Sequence, residues 1–132
     1  MFPFHQYFLS YRFVGDRSFL EAFEVIDGRP GGYEIAVMGD AEEAPQALHE
    51  KLLDRITRRL ATKDLERDVG GGLQIRDKTV RAGISCDLDA DLRRPMLVID
   101  GREVDWDDFG TMLMTFEGWQ FRMEIVDRSD EV

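Results

Sequence analysis

Hydrophobic and polar residues alternate along the first part of the chain, which is the period of a β-strand. Residues 4–14 alternate first, and one face carries His5, Tyr7, Leu9, Tyr11 and Phe13. Residues 19–26 are again rich in β-forming side chains, and Tyr33, Ile35 and Val37 share one face of a third segment. Glycine-containing turns at residues 15–16 and 27–32 separate the three segments. The pattern predicts an antiparallel meander of three strands.

A helical period replaces the alternation between residues 45 and 62. Leu48, Leu52, Ile56 and Leu60 recur every four residues and form one apolar stripe. Pro45 suits the first turn of a helix, where its missing N–H is not needed. Acidic residues come before this segment and basic residues lie at its end, as the helix dipole favours. The sequence predicts a long amphipathic helix at about 45–62.

The C-terminal half contains shorter segments with strong local signals. β-forming residues at 73–75, 80–88 and 96–99 predict strands, and Asp100-Gly101 predicts a two-residue hairpin turn. Asp105 can cap a helix at about 106–116, and Gly118 can end it. Gly110 within this helix predicts a close approach by a neighbouring element. Residues 119–126 alternate like a final half-buried strand, and a polar segment from about 127 is expected to be frayed.

The predicted architecture is one α+β domain over residues 1–132. We expect an antiparallel β-sheet packed against the long amphipathic helix (about 45–62) and the short C-terminal helix (about 106–116). A chain of 132 residues is the size of one ordinary domain, and 43% hydrophobic residues are enough for a core.

Charge and cysteine content narrow the expected function. Seventeen basic and 27 acidic residues give a net charge of −10, which argues against nucleic-acid binding because phosphate contacts need a basic surface. No segment has the run of about 18 apolar residues that a membrane helix needs, and no signal peptide is evident. Cys86 is the only cysteine, so no intramolecular disulfide can form. We expect an acidic, cytoplasmic protein without a membrane segment.

Several possible ligand sites fail on residue type or spacing. The glycines at 70–72 lead into a strand and lack the Lys-Ser/Thr of a phosphate loop. Asp87, Asp89 and Asp91 resemble the start of a calcium loop, but Leu92 and Val98 stand where that loop needs glycine and glutamate. The nitrogen and sulfur candidates for zinc are widely spaced along the chain: His5, His49 and Cys86. We predict no cofactor, no metal site and no catalytic residue.

The most informative charged feature is a basic stripe on the predicted long helix, formed by Lys51, Arg55, Arg58 and Arg59. One interpretation is a docking surface for an acidic protein partner, which would make the chain a non-enzymatic protein-interaction or regulatory module. A solvated face, with pairs such as Asp54–Arg58, is the simpler interpretation. Two alternatives remain: a small enzyme that uses a carboxylate or His49 for acid–base chemistry between sheet and helix, and a homo-oligomer formed through a sheet edge.

The run from Leu97 to Gly110, "LVIDGREVDWDDFG", continues into residues 112–121, "MLMTFEGWQF". Together they resemble the C-terminal signature of a bacterial family of unknown function. The resemblance covers about the last third of the chain. It implies a bacterial, intracellular protein, and because the family has no assigned activity it transfers no site residues.

Overall fold

A computed structural model describes residues 6–90 and 92–132. His5 and Asp91, named above as possible metal ligands, lie outside the described residues. The chain divides into two compact units. The first ends its main part at Ala61 and also includes Val126–Val132, which we call the C-terminal segment; the second is Thr62–Ile125. Each of these units has its own hydrophobic core, and the single domain over residues 1–132 stays a prediction.

The first unit contains the predicted meander and the predicted long helix. Its strands are β1 (Tyr7–Val14), β2 (Arg17–Ile26) and β3 (Arg29–Asp40), and they form an antiparallel sheet in the order β1-β2-β3. Helix α1 spans Pro45–Ala61, within one residue of the expected range. Both predictions are confirmed.

The core of the first unit lies between α1 and one face of the sheet. The pairing of Leu20 with Val37 and of Ala22 with Ile35 puts four buried side chains on that face. Helix α1 covers them with its apolar stripe, of which Leu48, Leu52 and Ile56 are at most 2% exposed. Burial of each such side chain stabilises the fold by about 1.5–3 kcal/mol, so the four-residue period of α1 decides how the helix docks.

The described residues of the second unit form five short strands and one α-helix. The strands are β4 (Leu65–Arg67), β5 (Leu73–Ile75), β6 (Gly83–Cys86), β7 (Pro95–Ile99) and β8 (Arg102–Asp105). Helix α2 (Trp106–Leu113) continues into a 3₁₀ turn at Met114–Phe116. The core of this unit contains Leu65, Ile75, Leu97, Ile99, Val104 and Met112.

The α+β class is confirmed, but the expected single sheet is not found. The described residues form three antiparallel sheets: β1-β2-β3, β4-β5 and β6-β7-β8. Hydrophobic alternation predicts strands, but it does not indicate which strands share hydrogen bonds, and this explains the error.

Local turn and cap chemistry behaves as the sequence predicts. Asp100 and Gly101 have φ values of 54° and 71°, and a type I′ hairpin needs positive φ at both central residues. The side chain of Asp105 accepts a hydrogen bond from the backbone N–H of Asp108 at 2.8 Å, which caps α2. Gly118 has a φ of 87°, beyond the 3₁₀ turn that follows α2.

Two predictions for the second unit were wrong. Residues 119–126 form no strand, and Trp119, Phe121, Met123 and Ile125 are each at least 63% exposed. The alternation is present in the sequence, but no described strand pairs with this segment. Gly110 is exposed, and an added Cβ would meet nothing within 4 Å, so no neighbouring element requires glycine there.

The strand predicted at 80–88 is shorter than expected. It spans Gly83–Cys86, and Cys86 is exposed. Strand β6 lies beside β7 at the edge of its sheet, so its side chains are covered less than those of a central strand.

Candidate functional site

The C-terminal segment binds the basic stripe of α1 within the first unit. Arg58 donates from Nε and Nη2 to the two carboxylate oxygens of Glu131, at 2.5 and 2.9 Å. A guanidinium fork on a carboxylate is the strongest common form of ion pair, because two parallel hydrogen bonds join the charges. The polar residues expected to be frayed are therefore held by a residue 73 positions earlier in the chain.

Arg55 connects three parts of the first unit. Its Nη1 donates to the backbone carbonyl of Ala36 on β3 at 2.8 Å and to that of Ser129 at 2.5 Å. Its buried Nε makes no hydrogen bond to any residue that the structure describes. Arg55 therefore holds the backbone of the C-terminal segment beside β3.

The other two cations of the basic stripe differ from this pair. Lys51 donates to the backbone carbonyl of Met38 at 3.1 Å and lies 3.5 Å from a carboxylate oxygen of Glu43. Arg59 is half-buried and contributes a favourable charge to Glu131. Of the four predicted residues, Arg55 and Arg58 hydrogen-bond the C-terminal segment, Lys51 binds the edge of β3, and Arg59 acts on the segment through its charge.

The C-terminal segment also reaches the sheet face opposite α1. Arg128 forms an ion pair with Glu21 and a second, at 2.8 Å, with Glu34. Glu21 is 3% exposed, and Arg12 lies 2.8 Å from its other carboxylate oxygen. Removing a carboxylate from water costs several kcal/mol if no cation pairs with it. Arg12 and Arg128 offset this cost for Glu21.

A local turn shapes the segment between these two anchors. The carboxylate of Asp127 accepts hydrogen bonds from the amide and the hydroxyl of Ser129, and the amide of Asp130 donates to the carbonyl of Asp127 at 2.9 Å. Ser129 is 7% exposed. The turn therefore presents the Ser129 carbonyl to Arg55 and the Glu131 carboxylate to Arg58.

These contacts predict that acid weakens the docking of the C-terminal segment. The hydrogen bonds from Arg58 hold the pKa of Glu131 below its ordinary value of 4.5, and those from Ser129 lower the pKa of Asp127. Because each pKa is lowered, these contacts stabilise the docked segment fully when the pH is above the ordinary pKa of the group. The stabilisation is lost as the pH falls through the lowered pKa. We expect an NMR titration of the Glu131 carboxyl to give a midpoint below 4.5, with the Ser129 amide signal shifting as the segment is released.

The matched control for this titration is Arg58→Gln, which keeps a polar side chain but removes the charge. Its Glu131 midpoint should return towards the ordinary value. A wild-type midpoint at or above the ordinary value would contradict the ion pair.

The enzyme hypothesis names one histidine, and the structure places it on the surface. His49 is exposed on α1. Within residues 6–90 and 92–132, no group of three or more histidine, cysteine, aspartate or glutamate side chains is placed to hold a metal ion. No helix in the described part of the chain is long and apolar enough to cross a membrane.

The sequence did not reveal two aspartates in the second unit that accept hydrogen bonds from distant residues. The carboxylate of Asp64 is 7% exposed and accepts hydrogen bonds from the backbone and the guanidinium of Arg81, both at 2.8 Å. The carboxylate of Asp100 accepts from the amides of Asp64 and Leu65, both at 2.9 Å at the closest. Both carboxylates have partners within the protein: Asp100 joins the hairpin turn to the start of β4, and Asp64 joins the start of β4 to Arg81. The residues are 36 positions apart, and no local pattern connects them.

Residues 64–130, half of the chain, match the family described as Domain of unknown function (DUF7713). The chain belongs to this family. Residues 4–61 match a second domain of unknown function, DUF7686. No curated protein and no solved structure gives a match. The function is therefore unknown.

The two matched regions meet close to the boundary between the two structural units. The DUF7713 match extends into the C-terminal segment and includes Arg128 and Ser129. These residues contact Glu21 and Arg55, which lie in the region that matches DUF7686. The contacts of the C-terminal segment thus connect the two family regions.

Proposed function

We propose that the first unit is a protein-interaction module that binds an acidic segment of a partner protein on the basic stripe of α1. The observation that carries the proposal is the pair of contacts from Arg55 and Arg58 to the protein's own acidic C-terminal segment. These contacts support the proposal that the basic stripe suits a short acidic peptide.

The contacts also define the chemistry of the expected ligand. Arg55 binds the backbone carbonyl of Ser129, and Arg58 binds the side chain of Glu131, two residues further along. A matching peptide offers a free carbonyl followed two residues later by a carboxylate. Because the fork of arginine fits carboxylates better than lysine does, Arg58 is the residue that selects for acid.

A partner has to displace the C-terminal segment from the stripe. Arg58 and Glu131 are 55% and 35% exposed at their side chains, and exposed pairs contribute only about 0.2–1 kcal/mol. Tethering raises the local concentration of the segment to roughly the millimolar range. The segment therefore competes only modestly. A peptide with additional contacts can displace Glu131 from Arg58 while Arg128 keeps its ion pairs with Glu21 and Glu34.

The test measures binding of a labelled peptide with the sequence of residues 126–132 to the full chain. We expect Glu131→Gln to strengthen binding of the added peptide, because the tethered competitor loses its carboxylate. Arg58→Glu should weaken binding by about fivefold to tenfold, which corresponds to about 1 kcal/mol. Fluorescence anisotropy at low and high salt measures both effects, and salt should reduce the affinity.

The matched control is Arg76→Glu, which reverses an exposed arginine in the second unit that pairs only loosely, at 3.6 Å, with Asp77. This variant changes the net charge by the same amount and should leave peptide affinity unchanged. Equal losses for Arg58→Glu and Arg76→Glu would refute a specific site, and so would an affinity that does not respond to Glu131→Gln.

A further inference from the structure

The two edges of the β1-β2-β3 sheet differ in how they are covered. At the β3 edge, Arg55 donates to the carbonyl of Ala36 and Lys51 donates to that of Met38. The backbone of Ser129 lies beside this edge, because the same Nη1 of Arg55 binds its carbonyl. Arg55 and Lys51 therefore occupy two β3 carbonyls that another strand would need, and the backbone of Ser129 lies beside them.

The opposite edge is the eight-residue strand β1, which pairs only with β2 among the described residues. The carbonyl of Gln6 accepts from the amide of Val25 and so points towards β2. Because backbone groups alternate in direction along a strand, the N–H and C=O groups of Leu9, Tyr11 and Phe13 point away from β2. These groups form a continuous row along the edge.

The side chains of β1 are apolar and exposed along this row. Helix α1 packs on one face of β2 and β3. On the same face of β1, Leu9, Tyr11 and Phe13 are 44%, 38% and 57% exposed. On the other face, Phe8 and Val14 are 64% and 54% exposed. Natural sheets protect an open edge with proline, lysine or a bulge, and β1 has none of these. Its one charged residue, Arg12, is paired with Glu21.

We propose that β1 pairs antiparallel with β1 of a second copy of this chain, which joins two three-stranded sheets into one sheet of six strands. The outward backbone groups belong to odd-numbered residues, so hydrogen bonding requires odd positions to face odd positions. A register centred on Ser10 then places Tyr7 opposite Phe13 and Leu9 opposite Tyr11, and every such pair is apolar. The charged Arg12 faces Phe8 instead of a second Arg12.

The occupied β3 edge explains why pairing stops at two copies. A chain that joined β1 to β3 of the next copy would grow without limit, as head-to-tail contacts do. Here Lys51, Arg55 and the C-terminal segment block that contact. The symmetric β1 pair uses the same strand from both copies, and it leaves the β1-β2-β3 sheet without an unblocked edge among the described residues. The proposal is independent of the acidic-peptide site, because that site lies at the other edge of the sheet.

Amide hydrogen exchange on the unmodified full chain tests the proposal without a mutation. In the pair, the amides of Leu9, Tyr11 and Phe13 should exchange at least tenfold more slowly than in dilute samples where the pair dissociates. Light scattering over the same concentrations should show a rise from the mass of one chain to that of two. A single-chain mass up to the solubility limit overturns the proposal, as does a mass that exceeds two chains.

A charge placed on the outward row provides the matched variant test. Leu9 and Ile26 are both 44% exposed, but Ile26 lies at the end of β2 and outside the proposed pair. We expect Leu9→Lys to weaken self-association at least tenfold and Ile26→Lys to leave it unchanged. Equal effects of the two variants overturn the assignment to β1. If Leu9→Lys does not fold, the exchange pattern of the unmodified chain decides the question.

Discussion

Asp100→Ala is expected to destabilise the unit Thr62–Ile125 by about 2–4 kcal/mol. The carboxylate accepts hydrogen bonds from the amides of Asp64 and Leu65, and these residues are only 5% and 9% exposed. Alanine leaves both amides without an acceptor and also strains the backbone, since φ at this position is 54°. Urea unfolding followed by tryptophan fluorescence measures the loss, because both tryptophans, Trp106 and Trp119, lie in this unit.

Two further substitutions separate the causes. Asp100→Gly avoids the backbone strain but still loses both hydrogen bonds. Asp100→Asn tolerates the positive φ and keeps one acceptor oxygen. We expect the loss to increase in the order asparagine, glycine, alanine. Asp77→Ala is the matched control, because Asp77 is exposed and has a similar φ of 55°. If Asp100→Ala costs no more than Asp77→Ala, the carboxylate contributes nothing and the inferred role of Asp100 is wrong.

The features that could be predicted from the sequence have determinants within a few residues. The positive φ of Asp100 and Gly101 follows from their residue types, and the Asp105 cap requires only an amide three residues later. The position of α1 follows from a four-residue period, since the apolar stripe must face a core. These elements needed no knowledge of what lies across the fold.

The features that could not be predicted depend on partners far along the chain. Residues 119–125 alternate as strongly as β1, but alternation becomes a strand only where another strand offers hydrogen bonds, and none of the described strands does. Conversely, the polar C-terminal segment has no local signal for order, and it is held by Arg55, Arg58, Glu21 and Glu34, which lie 73 to 107 positions earlier. Pairings over such distances are not visible in composition or periodicity.

The basic stripe is an intermediate case. Its residues could be identified from helical spacing, because the cations of α1 fall on one side of the apolar face. Their division of roles could not be identified, since Lys51 binds a carbonyl of β3 while Arg58 binds a carboxylate of the C-terminal segment. The binding of a protein partner stays a prediction, and the contacts of the segment show what such a partner has to replace.

Arg128→Ala is expected to destabilise the first unit by about 2–3 kcal/mol. Arg128 is one of two cations paired with the buried carboxylate of Glu21, and its loss leaves Arg12 as the remaining partner. Breaking a buried ion pair costs about 3–5 kcal/mol when no partner remains, and Arg12 reduces that cost. Amide exchange of Leu48 and Leu52, fully buried on α1, reports the free energy of opening of this unit. Arg122→Ala, at an exposed position, is the control and should cost less than about 0.5 kcal/mol.

A double-mutant cycle shows which carboxylate carries this effect. Glu21 is 4% exposed at its side chain and Glu34 is 55% exposed, so Arg128 should couple more strongly to Glu21→Gln than to Glu34→Gln. Additive losses for Arg128→Ala and Glu21→Gln would show that the pair contributes nothing.

Release of the segment has a second consequence, because a segment without its Arg128 anchor competes less well for Arg58. The same Arg128→Ala variant should therefore bind the added acidic peptide more tightly while it is less stable. A contact that only supported the fold would lower stability and leave peptide affinity unchanged, so this opposite response distinguishes a competing segment from a structural one.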